Sequence, residues 1–325
     1  MACASHVRTM AGLAILFGCV GCDGLKVAVV GGTGFVGSRV CKILVGAGAE
    51  VTSLSRSATI PQWAAAETWP GSVKWNAVDL LTADDAAIDS AMGSPDAVIS
   101  CVGVVDSSPE VLRDGNGLAN VNAFASAKRA GVRRAVYVSV ASEVAACEDG
   151  WLPFAKEEFS AYFAGKKTAE DAAAAAVGGD ATKLCILKPS FIYGGSRFEV
   201  PLPGKFVAPR VSSDYGYFVE EVLAFGPVQA LADAAPGLIK VALRPPVSVE
   251  AVATACAFAA QGELTRGQAT RRAVGTLDGT MAIKAAAGEV PASGISEGLD
   301  RALDELGDLT QKLLDTVESR LTGKK

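Results

Sequence analysis

Tyr162 and Lys166 are spaced Y-x-x-x-K inside an alanine-rich stretch, Lys156 to Ala176, that reads as one long helix. Residues i and i+4 share a helix face. An ammonium beside a phenol favours the phenolate, which predicts a lowered tyrosine pKa. Such a tyrosine can pass a proton to or from a carbonyl oxygen during hydride transfer. The lysine can also hold the ribose of a nicotinamide nucleotide. Two residues on a solvated helix face would show the same spacing, so the position matters: the pair lies between a fifth and a sixth strand.

A second constellation stands at Lys26 to Gly37, KVAVVGGTGFVG. An apolar run enters a G-x-x-G-x-x-G loop formed by Gly31, Gly34 and Gly37, and a helix, Phe35 to Val45, leaves it. The first glycine permits the tight turn, the second lets backbone approach a pyrophosphate, and the third lets helix pack on strand. The phosphates then sit at a helix N-terminus, with Thr33, Phe35 and Val36 in the same loop.

The surrounding elements must carry both. A second strand, Glu50 to Leu54, runs into Ser55 and Arg56 with no acid at its end. Arg56 lies about 20 residues after the glycines, where an arginine suits a 2′-phosphate and an acid would suit a free ribose. NADP(H) is therefore favoured, with NAD(H) the alternative. A third strand, Val73 to Val78, ends at Asp79 and Leu80; Asp79 either meets the adenine edge or caps a helix over Thr82 to Ala91. A fourth, Ala97 to Val102, carries Cys101 and Val102 into Gly103, whose small size would let a cofactor lie over the sheet edge. A helix over Asn116 to Ala130 is followed by a C-cap at Gly131. Further strands are expected at Ala135 to Val140, Lys183 to Leu187 and Arg272 to Thr276, with a helix over Val247 to Ala260. Alternation of this kind predicts an α/β, doubly wound, parallel Rossmann sheet.

The expected organisation is a leader over 1–24, a nucleotide-binding domain over 25–194, a small substrate lobe with the last sheet elements over 195–293, and an amphipathic helix over 294–325. The segment 195–225, rich in proline and aromatics, is expected to wall an apolar substrate site. In the tail, Leu299, Leu303, Leu306, Leu313, Val317 and Leu321 lie near one stripe. Docking on the chain's own body or on a partner protein both follow from it.

Composition narrows the function. The chain has 325 residues and a net charge of −5. It contains no basic block of the kind a nucleic-acid surface needs. Its one histidine, His6, lies in the leader. The body therefore cannot run a Ser-His-Asp mechanism or build a His-ligated zinc site, and no metal site is expected. The eight cysteines are scattered, several within expected strands and helices, as in a reducing compartment. The leader's apolar run, Met10 to Cys22, is too short to span a membrane and reads as a targeting segment.

Taken together, GGTGFVG at 31–37, SLSRS at 53–57, VISCVG at 98–103, YVSVAS at 137–142, YFAGK at 162–166, LKPSFIYG at 187–194 and PPVSVEAVA at 245–253 resemble the extended or atypical short-chain dehydrogenase/reductases. That group includes the NAD-dependent epimerase/dehydratase and NmrA-like proteins. Among its members the chain is most similar to organellar ones: plastid-globule Rossmann proteins, the mitochondrial protein associated with coenzyme Q synthesis and, more distantly, the nucleotide-binding accessory subunit of respiratory complex I. The resemblance implies Gly31, Gly34, Gly37 and Arg56 at the cofactor phosphates, Tyr162 and Lys166 at the reacting end, and Pro189 near the nicotinamide amide. One departure stands out. Active extended members carry Ser or Thr where this chain has Ala141; Ser139 and Ser142 flank it.

Two functions follow. One is an NADPH-dependent oxidoreductase acting on a small apolar carbonyl or quinone-like compound in a mitochondrion or chloroplast. The other is a nucleotide-holding structural or assembly subunit at an organellar membrane complex. A sugar-nucleotide epimerase or dehydratase is a third, weakened by Ala141.

Overall fold

The computed structural model describes residues 24–147, 156–195, 211–262, 264–266, 269–271 and 275–289. The expected leader up to residue 23, about half of the expected apolar wall (196–210 of 195–225) and the striped tail lie outside the described residues. In chain order the first half comprises β1 (Lys26–Val30), α1 (Gly37–Gly46), β2 (Glu50–Ser55), β3 (Val73–Ala77), α2 (Asp85–Met92), β4 (Ala97–Ser100), α3 (Pro109–Arg113), a π-turn (Asp114–Leu118), α4 (Ala119–Arg129) and β5 (Arg134–Val138). There follow α5 (Ser142–Ala145), α6 (Lys156–Ala176), β6 (Leu184–Lys188), β7 (Ile192–Tyr193), α7 (Ser213–Ala224), α8 (Gly226–Ala234) and α9 (Gly237–Ala242). The last described elements are β8 (Val247–Ser248), α10 (Val249–Gln261), β9 (Leu264–Arg266), β10 (Ala269–Arg271), β11 (Gly275–Asp278) and α11 (Gly279–Ala287).

Seven strands form one parallel sheet in the order β11-β6-β5-β4-β1-β2-β3. The expected doubly wound fold is the observed one. Side chains alternate across a strand, and β1 divides its residues accordingly. Val27 and Val29 enter a core with Val40, Leu44, Val252 and Ile283, beneath α1, α10 and α11. Ala28 and Val30 enter the opposite core with Phe124, Tyr137, Ile88 and Ala173, beneath α2, α4 and α6. Burial on both faces explains why the strand sequences are apolar almost throughout.

Strand order reverses between β1, which continues to β2, and β4, which continues to β5. In open α/β sheets ligands bind outside the carboxyl ends of the strands at such a point. The small lobe of α7 to α9 lies at the same end. It is joined to the body through the parallel pair β7–β8, with Ile192 opposite Val247. Tyr193 fixes α7 in place: it is buried, and its hydroxyl donates to Glu220 Oε2 at 2.7 Å. Lys284 of α11 pairs with the other Glu220 oxygen.

Gly216 faces the Tyr193 ring, and a Cβ there would lie 2.1 Å from Tyr193 Cγ. Gly216→Ala should therefore destabilise by about 1–3 kcal/mol through overpacking. Gly71→Ala, which meets open space, should change stability by less than about 0.5 kcal/mol. Urea-unfolding midpoints of the two variants test this.

Candidate nucleotide and active site

The glycine loop leaves β1 at Gly31, which has φ of +80°. Gly31 N–H donates to Leu54 O at 2.8 Å, and Gly34 N–H donates to Gly31 O at 2.9 Å, which closes the turn. A Cβ on Gly37 would lie 2.2 Å from Gly31 O, so α1 can approach the loop only without a side chain there. A Cβ on Gly31 would lie 3.3 Å from Cys101 C and Val102 Cγ2, so the loop runs against the end of β4. Helix α1 has no side-chain cap and no acidic residue in its first turn. Ser38 and Arg39 N–H donate to Gly34 O and Val36 O at 3.1 and 3.0 Å, so what the start of α1 offers an anion is the positive end of its dipole, with no acid beside it. The Ser55 hydroxyl, at the end of β2, is buried with no protein partner. A cradle without Cβ atoms, an uncapped helix N-terminus and an unsatisfied hydroxyl fit a dinucleotide.

Arg56 is exposed at the end of β2, beside the loop. Asp79 does not cap the following helix, one of the two expectations for it. The cap is Asp84, which accepts from Ala87 N–H at 2.8 Å, because the helix starts three residues later than the apolar pattern suggests. Asp79 instead accepts from Leu81 N–H at 3.0 Å and shapes the turn after β3. Asn122 holds that turn by donating to Leu80 O at 2.7 Å. Arg39 escaped the sequence reading. It donates to Phe35 O at 2.9 Å and lies 4.8 Å from the Phe35 ring centroid and 4.6 Å from that of Trp63. Its place four residues after Phe35 was the available signal.

At the other end of the crevice Lys166 is 5% exposed and donates to Val138 O at 3.2 Å. A Cβ placed on Gly103 would lie 3.1 Å from Lys166 Nζ, so the lysine reaches the strand end expected beneath the cofactor. Nζ lies 5.8 Å from the Tyr162 ring centroid. Burial pulls Lys166 down to about 8, opposed by Cys101 and Glu170. The Tyr162 phenol is pushed up to about 12 by burial. This corrects the expected lowering: loss of hydration around the phenol outweighs an ammonium that is itself desolvated.

The hydroxyl question also has a geometric answer. Ser139 Oγ donates to Glu170 Oε1 at 2.6 Å, and Glu170 in turn pairs with Lys188 at 3.0 Å. Ser142 is exposed at the start of α5. Ala141 is buried, and its N–H donates to Pro189 O at 2.9 Å, which joins the ends of β5 and β6.

Two features that position α6 were not read from the sequence. The helix expected from Asn116 begins at Pro109 and passes through a π-turn carrying Gly115 and Gly117. There α6 comes close: a Cβ on Gly117 would be 3.2 Å from Gly165 Cα, and one on Gly165 would be 3.0 Å from Asn116 Cβ. Asn116 is fully buried. It accepts from Val104 N–H at 3.1 Å and donates to Val104 O and Leu112 O, both at 2.8 Å, so it clamps the chain just beyond Gly103. The glycine pair and the two asparagines at 116 and 120 were the signal.

Beside Ala141 lies a cavity of about 280 Å³ between the ends of β5, β6 and β11 and the α8–α9 lobe. Its lining includes Ser190, Thr280, Asp278, Gln229, Glu143 and Arg244. This cavity carries several polar groups in its lining, whereas the wall expected from 195–225 was apolar; residues 196–210 of that segment lie outside the described residues. The described cysteines, Cys41, Cys101, Cys147, Cys185 and Cys256, are free thiols. No cluster able to hold a metal ion occurs among the described residues.

The profile of the NAD dependent epimerase/dehydratase family matches residues 27–226. An uncharacterized chloroplastic protein of Arabidopsis thaliana is 34% identical over 180 residues, which cover 54% of this chain and 55% of the relative. The chain therefore spans about half the length of that relative. Among solved structures, the Bordetella bronchiseptica enzyme WbmH in complex with NAD+ is 16% identical with a TM-score of 0.49, over 79% of this chain and 75% of that one. A putative epimerase from Burkholderia cenocepacia is 19% identical with a TM-score of 0.48, over 88% and 99%. Neither structural likeness bears on substrate.

The buried lysine makes a signed prediction. Its pKa falls from 10.5 unfolded to about 8 folded. Between these values the unfolded chain binds a proton that the folded one does not, so this group makes stability rise with pH in that window and leaves its full penalty below it. The span corresponds to about 3 kcal/mol. Tyr162 opposes it only above pH 10, where the unfolded phenol ionises first. Urea midpoints at pH 7.5 and 9.5 should show a rise in the wild type that is flattened in Lys166→Met; an equal rise in both would remove the assignment.

Proposed function

The chain belongs to the NAD dependent epimerase/dehydratase family, and from that premise we propose that it is an NADPH-preferring oxidoreductase of an organelle. One observation carries the reading: Lys166, Gly103 and Tyr162 converge at the far end of the crevice that begins at the glycine loop. Gly31, Gly34 and Gly37 admit a pyrophosphate to the N-terminus of α1. Ser55 and Arg56 take the adenosine ribose and its 2′-phosphate. Lys166 holds the second ribose. The bound nucleotide supplies or accepts the hydride.

Tyr162 is then the proton donor. A phenol with a pKa of about 12 keeps its proton at neutral pH. It is thus ready to donate that proton to a carbonyl oxygen as hydride is delivered to the carbon. The chloroplastic relative supports a plastid over a mitochondrion.

A second reading is a nucleotide-holding subunit of an organellar membrane complex, docked through the striped tail. Its support is chemical: Ala141 offers no hydroxyl, and Ser139 is committed to Glu170.

Arg56→Ala should weaken NADPH at least about tenfold and NADH little, since it removes one charge-assisted contact. Equal losses in titrations followed by nicotinamide fluorescence would refute the phosphate assignment. Tyr162→Phe should lower turnover by about 10²- to 10⁴-fold with NADPH binding retained. Turnover unaffected by this change would overturn the catalytic role, and a wild type that binds NADPH without reducing any carbonyl offered would favour the second reading.

A further inference from the structure

Glu170 lies four residues beyond Lys166 on α6, so the two share a helix face. Its side chain is only 14% exposed, and its carboxylate joins three segments. Ser139 Oγ, just past the end of β5, donates to Glu170 Oε1 at 2.6 Å. Lys188 Nζ, at the end of β6, pairs with the same oxygen at 3.0 Å. The main chain makes a matching tie, since Ser139 N–H donates to Leu187 O at 2.7 Å.

These ties meet at the peptide between Val138 and Ser139. Val138 O accepts from Lys166 Nζ at 3.2 Å. A carboxylate that pins the Ser139 side chain therefore also fixes the carbonyl on which the lysine rests. Its charge acts on the lysine as well. Burial works against the Lys166 ammonium, whereas Cys101 and Glu170 work for it. Of these two, Glu170 is the carboxylate already paired with a cation, and so the standing negative charge. The other groups turned to Lys166 are uncharged. The Tyr137 ring on β5 lies 5.2 Å from Nζ and the Tyr162 ring on α6 lies 5.8 Å away. Both phenols are pushed up by burial and keep their protons. The π-turn contributes the Asn116 amide: a Cβ on Gly103 would lie 3.5 Å from Asn116 Oδ1 and 3.1 Å from Lys166 Nζ.

We propose that Glu170 is the positioning residue of the reacting end: its carboxylate keeps Lys166 an ammonium and fixes the Val138–Ser139 peptide that aims this ammonium at the nicotinamide ribose. The proposal rests on the oxidoreductase reading for the ribose and the reaction. Lys188 is the counterion that lets a carboxylate stay ionised at this depth, since a buried charge without a partner is costly. The Ser139 hydroxyl then serves the lysine's anchor, not a substrate.

The full-length protein labelled with ¹³C at lysine Cε reports Lys166 directly, its signal being the one lost in Lys166→Met. The wild-type signal should titrate with a midpoint near pH 8. Glu170→Gln keeps an acceptor for Ser139 but removes the charge, and should lower that midpoint by about one pH unit. Glu170→Asp keeps the charge on a shorter side chain and should restore most of it. Should Glu170→Gln fail to fold because Lys188 is stranded, Glu170→Gln/Lys188→Met removes both charges and should give the same fall. A midpoint unmoved in the folded Gln variants, or one that falls equally in Glu170→Asp, would overturn the proposal. Reduction of 9,10-phenanthrenequinone by NADPH gives the functional readout. In Glu170→Gln the loss of turnover should grow with pH, to about tenfold at pH 8.5. An equal loss at pH 6.5 and 8.5 would mark a merely structural role and overturn it too. A midpoint that moves in a protein whose wild type neither binds NADPH nor reduces the quinone supports Glu170 as the partner of Lys166 and sinks the oxidoreductase reading. An unmoved midpoint in a protein that turns over sinks Glu170 alone.

Discussion

Backbone meets backbone where α6 crosses the π-turn, and the rest of the reacting end hangs on that contact. A Cβ on Gly165 or Gly117 would press on the facing element at 3.0 to 3.2 Å. One helical position further along α6 is Lys166. The closeness of the glycine crossing carries its Nζ inward to Val138 O and to the edge of Gly103. A bulkier crossing would lift the helix and move both members of the Y-x-x-x-K pair outward. The π-turn contributes from its own side, since Asn116 fixes the chain at Val104 from within it. Short irregular turns inside α-helices are often found at functional sites for this reason.

Burial then decides the electrostatics. The same approach that places Lys166 strips it of water, and Tyr162 loses hydration alongside it. Charged forms of both are disfavoured, and the pair rests as a neutral phenol beside a weakened ammonium. Around it the acidic partner is Glu170, which is shared by Ser139 and Lys188 and so occupies the hydroxyl that could have replaced the one missing at Ala141. The polar groups left facing ligand belong to the lobe and to α11, on the other side of Ala141.

Local pattern made much of the architecture legible. The glycine loop carried its own strand and helix, the strand rhythm implied a parallel sheet, and α6 runs over Lys156–Ala176 as its composition indicates. Boundaries elsewhere moved by a few residues where caps compete, as at Asp79 and Asp84. Three things were not legible. The helix before Asn116 begins at Pro109 because Ser108 caps it, accepting from Val111 N–H at 3.3 Å. The sign of the Tyr162 shift depends on burial, which spacing along a helix does not reveal. The network of Arg244 with Glu143, Gln229 and Asp233 joins segments far apart in sequence, and no periodicity marks it.

Sheet order has a consequence in time. β6 is completed at Lys188, but its outer neighbour β11 ends at Asp278, and the two pair in register from Cys185 with Gly275 to Lys188 with Asp278. At a synthesis rate of about 5–20 residues per second, about 90 residues of chain take about 5 to 20 seconds to emerge. During that interval the nascent sheet ends in an uncovered edge of Cys185, Ile186 and Leu187, a template for pairing with another chain. For this molecule the hazard of misassembly is set by how long the ribosome takes to deliver one strand, and protection of that edge during translation matters as much as the stability of the finished fold.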